Sequence, residues 1–373
     1  MNILIAPDKF KGSLTAMEVC EAIKSGLTQS DSNLNIICIP MADGGEGTCE
    51  LLTHYFNGDT ISVEVTGPRF KKVIAEYGIS KDGSTAFIEM AKASGLQLLK
   101  PEDRNPLLTT TLGTGELISH ALDKGVKKIL MGIGGSATND AGMGMAKALG
   151  FDFLDSNNKS LKPTGENLIH LHSIKTDRVH TRINEITFDA LCDVDNPLFG
   201  LKGAAYVYAP QKGASEEAVK ILDDGLRNFE AVIQKTFNSS ADFPGAGAGG
   251  GLPGGAKAFL NITIHHGMDY IIRTTHLEEK IKQADLIITG EGKIDQQTLA
   301  GKVVMEIGRL GLKYNKRVVA IAGKCELRSI ELQKIGISET ISLMDFQISE
   351  HEAITNAYRL IQEKAKSLIT QRH

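Results

Sequence analysis

Short apolar runs recur along the chain, each followed by a polar or glycine-rich stretch and then by apolar positions at helical spacing, a pattern that predicts strands feeding helices. Residues 2–7 form the first buried strand. After it, Ala16, Val19, Cys20, Ile23 and Leu27 fall on one helix face, and Thr15 with Glu18 forms a capping box at the helix start. A second strand covers 35–40, and a helix covers 49–56. From Thr60 the period drops to two: Ile61, Val63 and Val65 alternate, a Gly67-Pro68 turn follows, and 73–79 and 86–90 read as antiparallel strands. An apolar strand from 128 enters a glycine-rich turn and a helix, and 186–191 is again a strand. Strands over 286–289, 318–322 and 340–343, with helices over 298–310 and 353–369, close the chain. The pattern predicts an α/β protein of two α/β domains. One is a flavodoxin-like parallel-sheet domain formed by both chain ends, residues 1–60 and 285–373. The other is a mixed α/β domain, residues 61–284, inserted between the second and third strands of the first.

The polar stretches between these elements carry the candidate chemistry. In the turn Gly132-Ile-Gly-Gly-Ser-Ala-Thr-Asn-Asp140, Gly132, Gly134 and Gly135 give the backbone access to positive φ and let a ligand approach the peptide plane. Ser136, Thr138, Asn139 and Asp140 stand where the next helix begins, so they can cap it or hold a phosphate or carboxylate there. The turn also satisfies a loose dinucleotide fingerprint, with Asp152 at the distance of a ribose-binding acid, so a dinucleotide site and an unliganded turn both remain open. Strand ends deliver Asp8, Lys9, Lys11 and Ser13, then Asp43 and Glu46 among Gly44, Gly45 and Gly47, and then Glu291, Lys293 and Asp295 to one sheet edge. Asp43 or Glu46 can reach a Mg2+ ion or a substrate hydroxyl, and Thr48 can cap the helix behind them. Asp193 and Asp195, ahead of Asn196-Pro197, project to one side of an extended strand end and can bind Mg2+ or act as a base toward an alcohol. The glycine-rich stretch 243–255 reads as a mobile loop over a ligand or a plain hinge, and the adjacent His265 and His266 take no role.

Composition narrows the classes. With 41 Lys and Arg against 45 Asp and Glu, and no long basic run, a broad nucleic-acid face is excluded. Five isolated cysteines without metal-finger spacing fit reduced thiols in a cytoplasm. The apolar start lacks the pattern of a signal peptide, and no run is long enough to span a bilayer. The expectation is a cytoplasmic monomer or homodimer whose partners are small molecules, neither nucleic acid nor membrane. Several carboxylates, lysines and glycine-lined turns, with no His or Cys cluster, suit phosphoryl transfer: Mg2+ on oxygen ligands, N–H groups and lysines on phosphate, and one carboxylate on the attacking hydroxyl. Lys293, Lys302 and Lys324 follow glycines, but none precedes Ser or Thr, and the protein-kinase signatures are absent, so this is neither a P-loop enzyme nor a protein kinase.

Seven motifs occur in order over nearly the whole chain: Ala6-Pro-Asp-Lys-Phe-Lys-Gly-Ser-Leu14, Pro40-Met-Ala-Asp-Gly-Gly-Glu-Gly-Thr48, Arg104-Asn-Pro-Leu-Leu-Thr-Thr110, the 132–140 turn, Cys192-Asp-Val-Asp-Asn-Pro-Leu198, Pro210-Gln-Lys-Gly-Ala214 and Thr289-Gly-Glu-Gly-Lys-Ile-Asp295. Together they resemble the type I glycerate kinases of bacteria. The departures lie in two turns, Pro68-Arg69-Phe70 and the run from Gly249. The resemblance implies ATP-dependent phosphorylation of D-glycerate, at the 2-hydroxyl, by Mg-assisted in-line transfer giving 2-phosphoglycerate and ADP. It also implies an active site in the cleft between two α/β domains and a place in glycerate use after sugar-acid or glyoxylate breakdown. On this basis Asp193 is the base or orienter of the hydroxyl, and Asp43 and Asp295 are catalytic carboxylates and Mg2+ ligands. The 132–140 turn with Lys293 serves the phosphate or nucleotide, and Asp8, Lys9, Lys11, Ser13, Glu46 and Asn196 serve the substrate. The alternatives are a non-catalytic nucleotide or sugar-acid binding protein on the same fold and an NAD-dependent oxidoreductase.

Overall fold

Apolar runs from the two ends of the chain pair with each other. In this computed structural model, which describes residues 1–370 without Asp43, Glu46, Gly301 and Gln347, the strands are β1 (Asn2–Ile5), β2 (Asn35–Cys38), β3 (Asp59–Thr66), β4 (Lys72–Ile79), β5 (Thr85–Glu89), β6 (Lys128–Gly132), β7 (Asp152–Leu154), β8 (Ser173–Lys175), β9 (Thr187–Leu191), β10 (Thr263–His265), β11 (Leu286–Ile294), β12 (Arg317–Cys325) and β13 (Glu339–Ser342). They belong to two compact units, Met1–Asp43 with Gly267–His373, and Gly44–His266. The sequence pattern places these borders at 60/61 and 284/285 instead. The helix Thr48–Tyr55 goes with the second unit because it packs on β4, β5 and β6. A Cβ at Gly78 would lie 1.6 Å from Thr53 Oγ1, so the bare glycine is what lets that helix lie down on the sheet. The helix Leu277–Gln283 goes with the first unit, packed on β1 and on the helix Val303–Lys313.

The first unit is a five-stranded sheet in the order β13-β12-β11-β1-β2, with every pair parallel. Counted within the unit this is 5-4-3-1-2, the flavodoxin-like order, whose switch point lies between β1 and β11. Ile3, Ile5, Ile288 and Val319 pack with Ile23 and Leu27 of the helix Ala16–Ser30. The capping box is formed: Glu18 N donates to Thr15 Oγ1 at 3.2 Å, and Thr15 N donates to Glu18 Oε2 at 2.8 Å. β11 and β12 run farther than their apolar runs suggest, to Ile294 and Cys325. Gly290, Gly292 and Gly323 look like loop residues in the sequence but are strand residues. A Cβ at Gly290 would lie 2.1 Å from Ile321 O, and one at Gly323 would lie 2.4 Å from Gly292 O.

The second unit centres on a six-stranded sheet in the order β10-β9-β6-β5-β4-β3. β5, β6, β9 and β10 are parallel, and β3 and β4 continue the sheet as an antiparallel ribbon, as the alternating residues from Thr60 suggest. Its core joins Ile88, Ile129 and Met131 of the sheet to Leu117, Leu226 and Phe229 of the flanking helices. The stretch 243–255 is not a loop over a ligand. It runs into the helix Ala248–Leu260, kinked where Gly249, Gly250 and Gly251 take φ of +57°, +78° and +90°, and it lies under the 132–140 turn. A Cβ at Gly250 would fall 1.9 Å from Thr138 O, and one at Gly255 would fall 1.9 Å from Ala141 O. Among the described residues, no helix is long and apolar enough to cross a membrane.

Two glycines with the same backbone hand separate packing from strain. Gly83→Ala, at φ +70° with nothing within 4 Å of its Cβ, should cost about 1 kcal/mol. Gly250→Ala adds an overlap with backbone and should cost about 3 kcal/mol or more. Thermal unfolding of both variants checks this, and equal losses would contradict the packing of the glycine kink under the turn.

Candidate active site

In the first unit the C-terminal edge of the parallel sheet gathers charged side chains. The chain leaving β1 continues beside β11, with Asp8 N donating to Gly290 O at 2.8 Å. Gly292 has Lys11 N and Phe10 Cα 3.1 and 3.2 Å from the place of a Cβ, so the two segments touch through backbone. Asp8 is buried and its Oδ1 accepts from Lys9 N at 2.7 Å; Lys9 is half-buried and Lys11 is exposed. Ser13 spends its hydroxyl on the fold, donating to Ile354 O at 2.6 Å. Lys293, paired with Lys324 across β11 and β12, lies 3.0 Å from Glu326 Oε2 and 3.2 Å from Asp295 Oδ2, while Lys324 lies 2.7 Å from Glu326 Oε1. Glu326 and then Asp295 hold the Lys293 ammonium above its usual range. Asp295 is held below the usual carboxylate range, first by the Gln297 N–H and then by Lys293. The buried Glu291 accepts from Thr298 Oγ1 at 2.7 Å, which in turn accepts from Asp295 N at 3.1 Å, so Glu291 supports the loop that presents Asp295.

In the second unit Glu89, Gly132 and Leu191 stand in register at the C-terminal ends of β5, β6 and β9. Glu89 is buried, and its Oε1 accepts from Gly47 N at 2.8 Å and Cys49 N at 3.1 Å. A carboxylate from another strand therefore meets the positive end of the helix Thr48–Tyr55. Thr48 does not cap that helix; its hydroxyl donates to Gly45 O at 2.7 Å. Asp193 is exposed just beyond β9, 3.6 Å from His266 Nδ1. Asn196 has both ends of its amide engaged, donating to Lys202 O at 2.7 Å and accepting from Tyr208 Oη at 2.6 Å. Asp43 and Glu46 lie outside the described residues.

The 132–140 turn exposes Gly134 and Gly135 and buries the rest. Of its three glycines only Gly135 takes positive φ, +77°. Ser136 Oγ accepts from Lys212 Nζ at 2.7 Å, and Ala137 is fixed from both sides, donating to Ser94 O at 2.9 Å and accepting from Thr109 Oγ1 at 2.9 Å. Asp140 is wholly buried. Its Oδ2 accepts from Thr111 N at 2.8 Å, Thr111 Oγ1 at 2.9 Å and Gly144 N at 3.2 Å, tying together the starts of the helices Leu112–Asp123 and Met143–Ala148. Burial pushes its carboxyl up, and these donors pull it back. Ser136 and Asp140 thus support the turn, the Thr138 hydroxyl and the Asn139 amide are buried without a hydrogen-bond partner among the described residues, and the exposed surface is the glycine backbone. Asp152 is taken by Ser160 Oγ at 2.5 Å and Lys147 Nζ at 3.4 Å, which leaves the dinucleotide fingerprint without its ribose acid.

Three residues near these groups escaped the pattern of the sequence: Glu89, His266 and Lys212. Glu89 and His266 are strand-end or adjacent polar residues whose partners lie far away in sequence. Lys212 sat in a motif, 210–214, that no reading of spacing could connect to the turn. Among the described residues, no three His, Cys, Asp or Glu side chains gather as a metal-ligand set. Asp295 is the described member of the expected pair, and a half-buried carboxylate with an oxygen open to solvent is the donor type that Mg2+ takes together with waters and phosphate oxygens.

The Glycerate kinase family model matches residues 3–372. A protein of Halalkalibacterium halodurans named "Glycerate kinase" is 43% identical over 98% of this chain and 97% of its own length. A protein of Escherichia coli named "Glycerate 2-kinase" is 42% identical over 96% of this chain and 94% of its own. The crystal structure of a putative glycerate kinase 2 from Salmonella typhimurium superposes with a TM-score of 0.89 at 39% identity, covering 100% of this chain and 98% of that one. The seven motifs, the sheet order and these full-length matches lead to one assignment: the chain belongs to the glycerate kinase family.

Proposed function

We propose that this kinase transfers the terminal phosphoryl group of ATP to the 2-hydroxyl of D-glycerate, giving 2-phosphoglycerate and ADP. The observation that carries the reading is an exposed Asp193 at the end of β9, beside His266, in a chain 42% identical to a protein named "Glycerate 2-kinase". Asp193 orients the attacking hydroxyl and accepts its proton as the oxygen–phosphorus bond forms. Lys9 and Lys11 neutralise the glycerate carboxylate, with Asp8 and Glu46 as further substrate-binding residues, while Ser13 and Asn196, whose polar groups are engaged within the fold, hold their own loops in place. The 132–140 turn offers its exposed glycine backbone to an oxyanion, and Lys293 meets phosphate charge once a ligand competes with Asp295 and Glu326. Asp43 and Asp295 would hold Mg2+, which when bound neutralises the phosphate oxygens. The five cysteines are free thiols, in line with a cytoplasmic site of action.

The test is ADP release that depends on D-glycerate, followed with purified protein, ATP and Mg2+. Asp193→Asn should lower kcat by about 10²–10⁴ fold, the range for loss of a general base, with an unchanged unfolding midpoint. Near-normal turnover in that variant would remove Asp193 from the role. Chelating Mg2+ with EDTA should abolish turnover and restoring the ion should return it, and turnover that persists without divalent ions would overturn the metal assignment.

A further inference from the structure

Lys212 is a buried cation to which the mechanism gives no part. Its side chain belongs to the turn Pro210–Lys212, is 3% exposed, and carries its ammonium to the inner side of the 132–140 turn. There it donates to Ser136 Oγ at 2.7 Å and to Thr138 O at 2.7 Å, the first and third positions after the exposed Gly134 and Gly135. The next residue, Gly213, takes φ +92° and packs against Arg104, with Arg104 O 2.5 Å from the place of a Cβ, so the lysine is anchored from a second motif of the same unit. Desolvating an ammonium is costly, and an apolar residue would fill this space at no such cost. What the charge adds is a fixed shape for a glycine-rich backbone that has little of its own.

We propose that Lys212 is the positioning residue of the oxyanion-holding turn: by tying Ser136 Oγ and the Thr138 carbonyl from within, it keeps the backbone at 134–136 in the shape that receives the phosphate of ATP or the carboxylate of glycerate. The inference rests on the reading of that turn as an anion holder. The charged group facing Lys212 from the turn is Asp140, and from the 104–110 segment it is Arg104, which meets the neighbouring glycine through its backbone and Cβ. Burial pushes the ammonium down to about 7, against the pull of the Asp140 carboxylate. The folded group therefore loses its proton as pH rises through neutrality, and the tie weakens on the alkaline side.

Ligand-induced shifts of the unfolding temperature, measured with ATP and separately with D-glycerate from pH 6 to 9, give an apparent affinity for wild type, Lys212→Met and Asp140→Asn. Wild type should lose affinity for one of the two ligands as pH rises through about 7, and the affected ligand identifies the anion. Lys212→Met should bind that ligand roughly tenfold more weakly at pH 6, without the pH step and with the other affinity within twofold. Asp140→Asn removes the carboxylate that favours the charged lysine, so the step should move to lower pH; the last proton of ATP is common to all three proteins and does not move. A folded Lys212→Met variant that keeps both affinities, or that loses both equally, overturns the proposal. So does a wild type with no step, or a step that stays in place in Asp140→Asn. Glycerate-dependent ADP release is scored separately: binding with the step but without turnover keeps Lys212 and removes the kinase reading, and no binding of either ligand removes both.

Discussion

The second unit depends on one buried carboxylate. Asp140 accepts three hydrogen bonds on a single oxygen, two from Thr111 and one from Gly144. Those bonds join two helix starts that would otherwise leave donors unmet inside the core. The helices can approach because Gly144 has Thr110 Oγ1 only 2.3 Å from the place of a Cβ, and Gly115 has Met145 O at 2.2 Å. The glycine kink at 249–251 closes the space below, and Lys212 closes it from the side. The turn that leaves β6 is thus built from within by charge and from beneath by absent side chains, and it shows solvent only Gly134 and Gly135.

The first unit solves a similar problem with exposed charge. A parallel sheet presents its loops at one edge, and here Lys293, Lys324, Asp295 and Glu326 meet there as an ion-pair network. Each exposed pair contributes little to stability. Its chemical effect is that a lysine shared by two carboxylates keeps its proton, and a carboxylate beside it stays ionised.

Much of this was legible in the sequence. Period-two alternation marked β3 and β4, short apolar runs marked the parallel strands, and the position of the interruption gave the flavodoxin-like order. Several of the departures share one cause. Glycine at 243–255, at Gly290 and Gly292, and at Gly323 has the local look of a loop, yet in each place it marks a close backbone approach set by residues distant in sequence. Local pattern carries no information about such contacts. For the same reason Ser136, Thr138, Asn139 and Asp140 could be placed on the right turn but not on its buried side, and Glu89 could not be matched to a helix start forty residues upstream.

The transfer proposed for this chain, to the 2-hydroxyl of glycerate, makes a phosphate ester at a secondary carbon. Phosphorus NMR of the product formed from ATP and D-glycerate tests it most directly. The account predicts a phosphorus signal coupled to one carbon-bound proton, the secondary ester of 2-phosphoglycerate. Coupling to two protons on one carbon, the primary ester, would contradict the proposed site of transfer.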